Sequence, residues 1–318
     1  MTETGTSLPA GASAGGLVPA ARAEPAPVGD ALPVGDAPPV GQSGRAREFA
    51  ESRFRLSEVT RDERGMRITM RLGPWLDGPG GAATVGSLGV LVDSTIGMEV
   101  YDARPENSHS VTAELAVDVV IPPPWSGSQL TAHAELLGLD PVGGTARCEV
   151  RDDDGRLVVV GIGRCRFVSI PGASDAFFGE EPQMLAPAAH HSLLETLAAG
   201  ETGGRAIAAP ERAGDLGRFL LPANPAFENG GGTVHGGVLF CAAELAVEAL
   251  ADPAVPERTT AIRVNYLRPA DLAAEVTATA ELVHRGRTVS LYRVTTAGPS
   301  GKPATLATIT RERGTPVF

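Results

Sequence analysis

Aromatic residues are scarce, 4% of 318, so any core must be built from Ala, Val, Leu and Ile within an apolar fraction of 42%. Cysteines number three, Cys148, Cys165 and Cys241, an odd count with wide spacing and no CxxC pair. That excludes a disulfide framework and gives no zinc-ligand pattern. No long hydrophobic run occurs. Runs such as Leu157 to Ile162, counting Gly161, are far below the ~20 residues that span a bilayer. A basic n-region and a continuous apolar h-region are both missing from the N-terminus, so no secretory signal is expected, although Ala20-Ala21-Arg22-Ala23 faintly resembles a cleavage site. Basic residues are in deficit as well, 27 Lys and Arg against 38 Asp and Glu, for a net charge of −11. Neither a nucleic acid nor an anionic membrane is an expected partner for such a chain. These absences point to a reduced, cytoplasmic protein without metal or organic cofactor.

Glycine (39) and proline (26) are abundant instead. Much of the excess lies in residues 1–44, where Pro27-Val28-Gly29-Asp30-Ala31 returns as Pro33-Val34-Gly35-Asp36-Ala37 and, truncated, as Pro39-Val40-Gly41. Almost no large apolar side chain is available there to offset ordering entropy, so a disordered tail is expected. Its lack of Lys argues against an electrostatic anchor.

Order is expected from Arg45. Phe54, Leu56 and Val59, then Met66, Ile68, Met70 and Leu72, alternate with polar residues as half-buried strands do. After a Gly/Pro loop (73–81), the spacing of Leu88, Leu91, Val92, Thr95 and Ile96 predicts a helix over 85–100. Strands are expected over 111–121, 129–139, 145–150 and 157–170, the last entered through the turn Asp153-Asp154-Gly155.

The same order recurs: a strand at 217–221, a Pro/Gly loop at 222–232, a helix over 235–251 ended by Asp252-Pro253, and strands over 259–268, 275–284, 288–296 and 304–311. The segment Thr112 to Pro122 lies over Thr259 to Pro269 at an offset of 147, and Ala134-Glu135-Leu136 lies over Ala280-Glu281-Leu282 at 146. Each half is thus one long helix followed by about four antiparallel strands, an α+β fold. A helix wrapped by a sheet must be apolar nearly all round. Both comply, with one internal charge each, Asp93 and Glu244.

A carboxylate inside such a helix is costly to bury unless paired or used. The second half adds Asn229-Gly230-Gly231-Gly232-Thr233-Val234-His235-Gly236-Gly237. Glycines that open a helix leave backbone N–H groups and the positive dipole end facing the loop, a setting that stabilises an anion or a developing oxyanion. No Gly-Lys-Ser/Thr follows and no Gly-x-Gly-x-x-Gly precedes, so neither a P-loop nor a dinucleotide fingerprint is present.

The pattern Asn-x5-His-Gly-Gly-x6-acid, carried by Asn229, His235, Gly236, Gly237 and Glu244, resembles the signature of the PaaI-type hotdog thioesterases, and Val264 to Ala270 resembles that family's next strand. The resemblance implies two tandem hotdog domains, a double hotdog, at 45–171 and 205–318 joined by a connector (172–204). It implies an acyl-CoA hydrolase without cofactor, acting at a site shared by two copies. A backbone N–H at Gly236 would polarise the thioester carbonyl, and an acid would activate water or attack directly. Asn229 and His235 would shape the loop, with Gly237 beside the substrate.

The first half departs from this signature. Aligning Asp93 with Glu244 puts Thr84 in place of His235, Gly78 in place of Asn229 and Val85-Gly86 in place of Gly236-Gly237. One composite site would join Asn229, His235 and Gly236 to Asp93, with Thr112 as a supporting hydroxyl. The other would set Thr84, Val85 and Gly86 against Glu244 and lack the Asn and His. The expectation is one working site with Asp93 as its acid and Glu244 as the other candidate.

Arg285-Gly286-Arg287 lies in an expected turn where Arg285 and Arg287 could grip the CoA diphosphate, against a plain solvated hairpin. Arg268 before Pro269 is a similar case. His190-His191 has no spaced ligand set and is not read as metal-binding, and Leu193, Leu194 and Leu197 suggest a short helix nearby. Cys241 reads as a small core residue. Trp75, Trp125, Phe227 and Tyr266 could line a pocket or fill the core. Two other functions compete: a non-catalytic acyl-thioester binding protein, and a hotdog hydratase or dehydratase, whose usual catalytic loop is not seen. A homodimer of such chains is a further expectation from the resemblance.

Overall fold

The computed structural model describes residues 49–169, 191–198, 208–229, 231–252 and 254–313, within one unit, Arg45–Phe318. The tail over 1–44 and most of the connector over 172–204 lie outside the described residues, as do His190 and Pro253.

Among the described residues, twelve strands form one antiparallel sheet. In chain order the first half holds α1 (Ala50–Arg53), β1 (Leu56–Asp62), β2 (Gly65–Arg71), α2 (Gly89–Asp102), β3 (His109–Val119), β4 (Gln129–Asp140), β5 (Gly143–Asp152) and β6 (Leu157–Val168). A short helix α3 (Leu193–Thr196) precedes β7 (Glu211–Ala213), β8 (Leu216–Leu221), α4 (Gly236–Glu248), β9 (Glu257–Tyr266), β10 (Val276–Arg285), β11 (Val289–Ala297) and β12 (Pro303–Arg313). The sheet order is β1-β2-β4-β5-β6-β3-β9-β12-β11-β10-β8-β7. Each half reads the same outward from the centre, and β3 meets β9 there with Ala116 opposite Arg263.

The repeat offsets are visible in side-chain burial. Leu115 and Val117 of β3 are buried, as are Ile262 and Val264 at an offset of 147; Leu130, Ala132 and Ala134 of β4 match Val276, Ala278 and Ala280 of β10 at 146. The two long helices pack against the sheet and each other. α4 buries every residue from Gly237 to Val247, and α2 buries Gly89 to Ile96 without a break. Their many small and aliphatic residues fill the core where few aromatics are available.

Several boundaries differ from the sequence reading. The first-half helix opens with a 3-10 turn, Gly86–Leu88, before α2 begins at Gly89. Thr84 is the cause, since its carbonyl accepts from Ser87 Oγ (2.6 Å) and its hydroxyl from Ser87 N–H (3.2 Å). The second helix ends at Glu248, three residues early. Val59, expected on the core face, is 47% exposed. The β1–β2 register shifts between Ser57 and Thr60, with Glu58 in the left-handed region (φ 52°), so alternation is lost at that point.

Candidate active site

α2 and α4 cross backbone to backbone because glycine stands at the contact. A Cβ on Gly237 would lie 2.4 Å from Val90 N and Cα, and one on Gly89 would lie 2.6 Å from Gly237 O. This approach carries each helix's carboxylate to the other half's helix start. Gly237 N–H donates to Asp93 Oδ2 (3.0 Å), and Gly86 N–H donates to Glu244 Oε2. Asp93 and Glu244 are equivalents at an offset of 151, and so are Gly86 and Gly237. The two contacts are one arrangement made twice.

Around Asp93, 6% exposed, the groups are polar and varied. Thr112 Oγ1 donates to Asp93 Oδ1 at 2.7 Å, reaching in from β3. His235, the N-cap of α4, places Nδ1 3.0 Å from Gly237 N and 3.4 Å from Asp93 Oδ2. Its Nε2 lies 3.2 Å from Ser94 Oγ and 3.3 Å from Glu51 Oε1. Burial opposes charge on the imidazole, but the Glu51 carboxylate and then Asp93 outweigh it and raise the His235 pKa. Burial likewise works against the Glu51 carboxylate, and His235 with Ser94 reverses it to a lowered pKa. Tyr266 closes one side, donating to Gly236 O at 3.0 Å. Behind Thr112 stands buried Cys165, whose thiol burial and the nearby Asp93 charge push up to about 11. Gly236 packs directly on the acid, since a Cβ there would come 2.6 Å from Asp93 Oδ2 and 3.2 Å from the Tyr266 ring.

Glu244, 2% exposed, sits in a different setting. Burial and the neighbouring Glu248 charge raise its pKa. Arg311 of β12, also buried, counters them and pairs with Glu248 Oε1 at 3.0 Å while donating to the Glu257 carbonyl at 2.7 Å. On the strand offset of 146, Arg311 stands where Cys165 stands in the first half. Thr259, the counterpart of Thr112, acts on the Glu244 carboxyl, yet its Oγ1 makes no hydrogen bond of ordinary geometry among the described residues.

Asp93, His235, Gly236, Gly237 and Thr112, all named from the sequence, lie together. The Gly237 N–H donates to the acid, while the Gly236 N–H makes no hydrogen bond among the described residues. Asn229 does not touch Asp93. Its Oδ1 accepts from Gly231 N (2.9 Å) and Thr233 N (3.0 Å), and its Nδ2 donates to Thr233 Oγ1, so it shapes the loop. Arg285 and Arg287 are exposed in the β10–β11 turn. Arg285 donates to Tyr292 OH (3.3 Å), which donates to Glu257 Oε2 (2.9 Å). Glu257 starts β9 whereas Tyr266 ends it, so this hairpin belongs to the Glu244 end and not to Asp93. Arg268 donates to the Pro303 carbonyl (2.9 Å). Of the aromatics, Trp125 and Phe227 are core and Tyr266 lines the Asp93 site; Trp75 lies under the Arg55 guanidinium. Cys241 is buried, as expected.

Three participants escape the sequence reading: Glu51, Ser94 and Arg311. Ser94 follows Asp93 directly and could have been suspected. Arg311 was open to discovery through the strand offset. Glu51 lies before the first strand and carries no signal. No group of His, Cys, Asp and Glu among the described residues could hold a metal.

The fold is the hotdog fold of the thioesterases that it resembles among solved structures. Residues 224–312 match the family described as acyl-CoA thioesterase N-terminal domain. That match on this fold gives the enzyme class, a thioester hydrolase. A sequence comparison with curated proteins finds no match. Among solved structures, a protein assigned as a thioesterase from Novosphingobium aromaticivorans DSM 12444 aligns with TM-score 0.53 and 16% identity over 81% of this chain and 98% of its own. The acyl-CoA thioesterase II TesB2 of Mycobacterium marinum gives 0.51 and 10% over 85% and 98%. The 12:0-ACP thioesterase of Umbellularia californica gives 0.52 and 10% over 78% and 94%. At such identities these are likenesses of fold. No helix among the described residues is long and apolar enough to cross a membrane.

Proposed function

We propose that the protein is a cytoplasmic acyl-CoA thioesterase of the PaaI-type group, built as two tandem hotdog domains (45–171 and 205–318) with one working site, at Asp93. The observation that carries this reading is the unequal elaboration of two equivalent glycine–carboxylate contacts. Only Asp93 has an ordinary hydroxyl donor in Thr112 and the His235 helix cap, while Glu244 lies beside the Arg311–Glu248 ion pair, whose Glu248 charge raises its pKa.

Thr112 and Gly237 together orient the Asp93 carboxylate. Asp93 removes a proton from water as the water oxygen bonds to the thioester carbon. Negative charge then develops on the former carbonyl oxygen, and the uncommitted Gly236 N–H at the positive end of α4 stabilises it. Collapse breaks the carbon–sulfur bond. The proton held by Asp93 passes to the CoA thiolate, leaving free acid and CoA. Tyr266 fixes the Gly236 peptide through its carbonyl, and Asn229 holds the loop before it. Three buried unpaired thiols suit a reducing compartment.

Thiol release measured across short, medium, long and aryl acyl-CoAs, with Asp93→Ala alongside Glu244→Ala, tests the proposal. Turnover abolished by the Asp93 change alone supports it. Turnover abolished by the Glu244 change alone overturns the assignment, and acyl-CoA binding without any thiol release establishes the binding-protein reading instead.

A further inference from the structure

We infer that Glu51, carried on α1 ahead of the first strand, is a positioning residue that acts through His235 to prepare the Asp93 site. This rests on the reading of Asp93 as the working acid. The geometry assigns the protons of the imidazole. Ser94 Oγ donates its single proton to Glu51 Oε1 (3.2 Å), so toward His235 Nε2 it can only accept. The Glu51 carboxylate oxygen 3.3 Å from Nε2 likewise only accepts. Both neighbours of Nε2 thus require a proton on that nitrogen. In the neutral ring Nδ1 is then bare and accepts the Gly237 N–H at 3.0 Å, the same N–H that reaches Asp93 Oδ2. One carboxylate fixes the tautomer, the tautomer caps α4, and the capped helix start presents its amides to the acid and the reacting carbonyl.

The short helix that carries Glu51 is anchored. Arg53 on the same short helix is buried and donates to the Thr196 and Ala198 carbonyls at 3.0 and 2.9 Å. Asn224, capping the 3-10 turn Pro225–Phe227, donates to the same Ala198 carbonyl at 2.8 Å. α1, α3 and the loop leading to α4 are therefore tied in one place, and Glu51 enters the site from that knot. The charged and titratable groups facing His235 are Glu51 from α1 and Asp93 from α2, with Tyr266 of β9 and Cys165 of β6 adjoining Asp93.

Glutamine at position 51 keeps the shape but can donate from its amide, which lets Nε2 lose its proton and moves a proton to Nδ1, facing Asp93. The test uses the full chain with ¹⁵N-labelled histidine, the His235 ring signals being assigned with His235→Gln. Glu51→Gln is expected to shift the ring toward the Nδ1–H tautomer and lower the His235 pKa. In the same variant kcat for thiol release falls on the order of 10- to 100-fold, as for a site displaced slightly from its productive geometry, with KM changed less than about twofold. Glu51→Asp restores the tautomer and part of kcat. An unchanged tautomer and pKa in Glu51→Gln overturns the inference, as does an unchanged kcat. If Glu51→Gln does not fold, Glu51→Ala takes its place in the same titration, where an unmoved tautomer is again fatal. Absence of turnover in the unsubstituted protein would instead overturn the hydrolase reading, and the ring titration would still decide the role of Glu51.

Discussion

Asp93 and Glu244 occupy equivalent positions on equivalent helices and accept from equivalent glycines, yet their surroundings give them opposite characters. Beside Asp93 the chain supplies a hydroxyl that donates to the acid, an imidazole 3.4 Å away, and a phenol committed to the Gly236 carbonyl. Beside Glu244 it supplies buried Arg311 and a second, partly exposed carboxylate, Glu248, which pair with each other. That pair is costly to disturb, because removing Glu248 leaves the buried Arg311 without its counter-charge. The difference teaches that a shared backbone contact defines where a site can be, while the strand residues behind it decide whether the site works. At that deciding position stand Cys165 in one half and Arg311 in the other.

Substitutions made in pairs sharpen this comparison. The largest contrast is expected at the acids. Asp93→Asn lowers kcat for thiol release about 10³-fold, the range of a lost general base, whereas Glu244→Gln leaves kcat within about threefold. Equal losses would erase the distinction. Next is Arg311→Met, which strands Glu248 and removes a positive charge near Glu244. Denaturant unfolding should show a loss of about 3 kcal/mol, with turnover at the permissive temperature unchanged.

The glycines come third. Gly237→Ala meets backbone atoms of Val90 at 2.4 Å, while Gly86→Ala meets Cys241 Cα at 3.1 Å and the movable Glu244 carboxylate at 2.8 Å. Overpacking of this kind costs about 1–3 kcal/mol, and Gly237→Ala should have the lower Tm. Thr112→Val should lower kcat about tenfold through loss of a hydrogen bond to a charged group, against less than about 0.5 kcal/mol in stability for Thr259→Val. The smallest effect is in pH dependence. Glu244 binds its proton more tightly when folded, so stability declines as pH rises above the ordinary glutamate value of 4.5 through the raised folded value. Glu244→Gln should flatten that decline in Tm against pH, and an unaltered slope would show that Glu244 is not its source.

Much of this fold was open to sequence reading because its signals are local. Alternating apolar residues marked most strands, and two unusually apolar helices announced that each was buried all round. Val59 defeated the reading because a bulge at Glu58 breaks alternation without a glycine to mark it. Within the site, Asp93, Thr112, His235 and the glycine pair were reachable through the repeat and the motif. Which glycine amide bonds the acid was not, since that depends on the crossing of α2 and α4. Glu51 was beyond reach for a different reason. A glutamate on a four-residue helix has no periodic neighbours, and its role comes only from the distant carbonyls that anchor Arg53.

The central pair, β3 beside β9, has a consequence for the chain as it is made. Until β9 exists, β3 is a bare edge, with one row of N–H and C=O groups unpaired over Glu114 to Asp118. Such an edge invites pairing with any available strand, and the most similar one is β3 of another nascent copy. The first half is therefore a poor candidate for separate expression, and during synthesis it stays adhesive until the second half arrives to cover it.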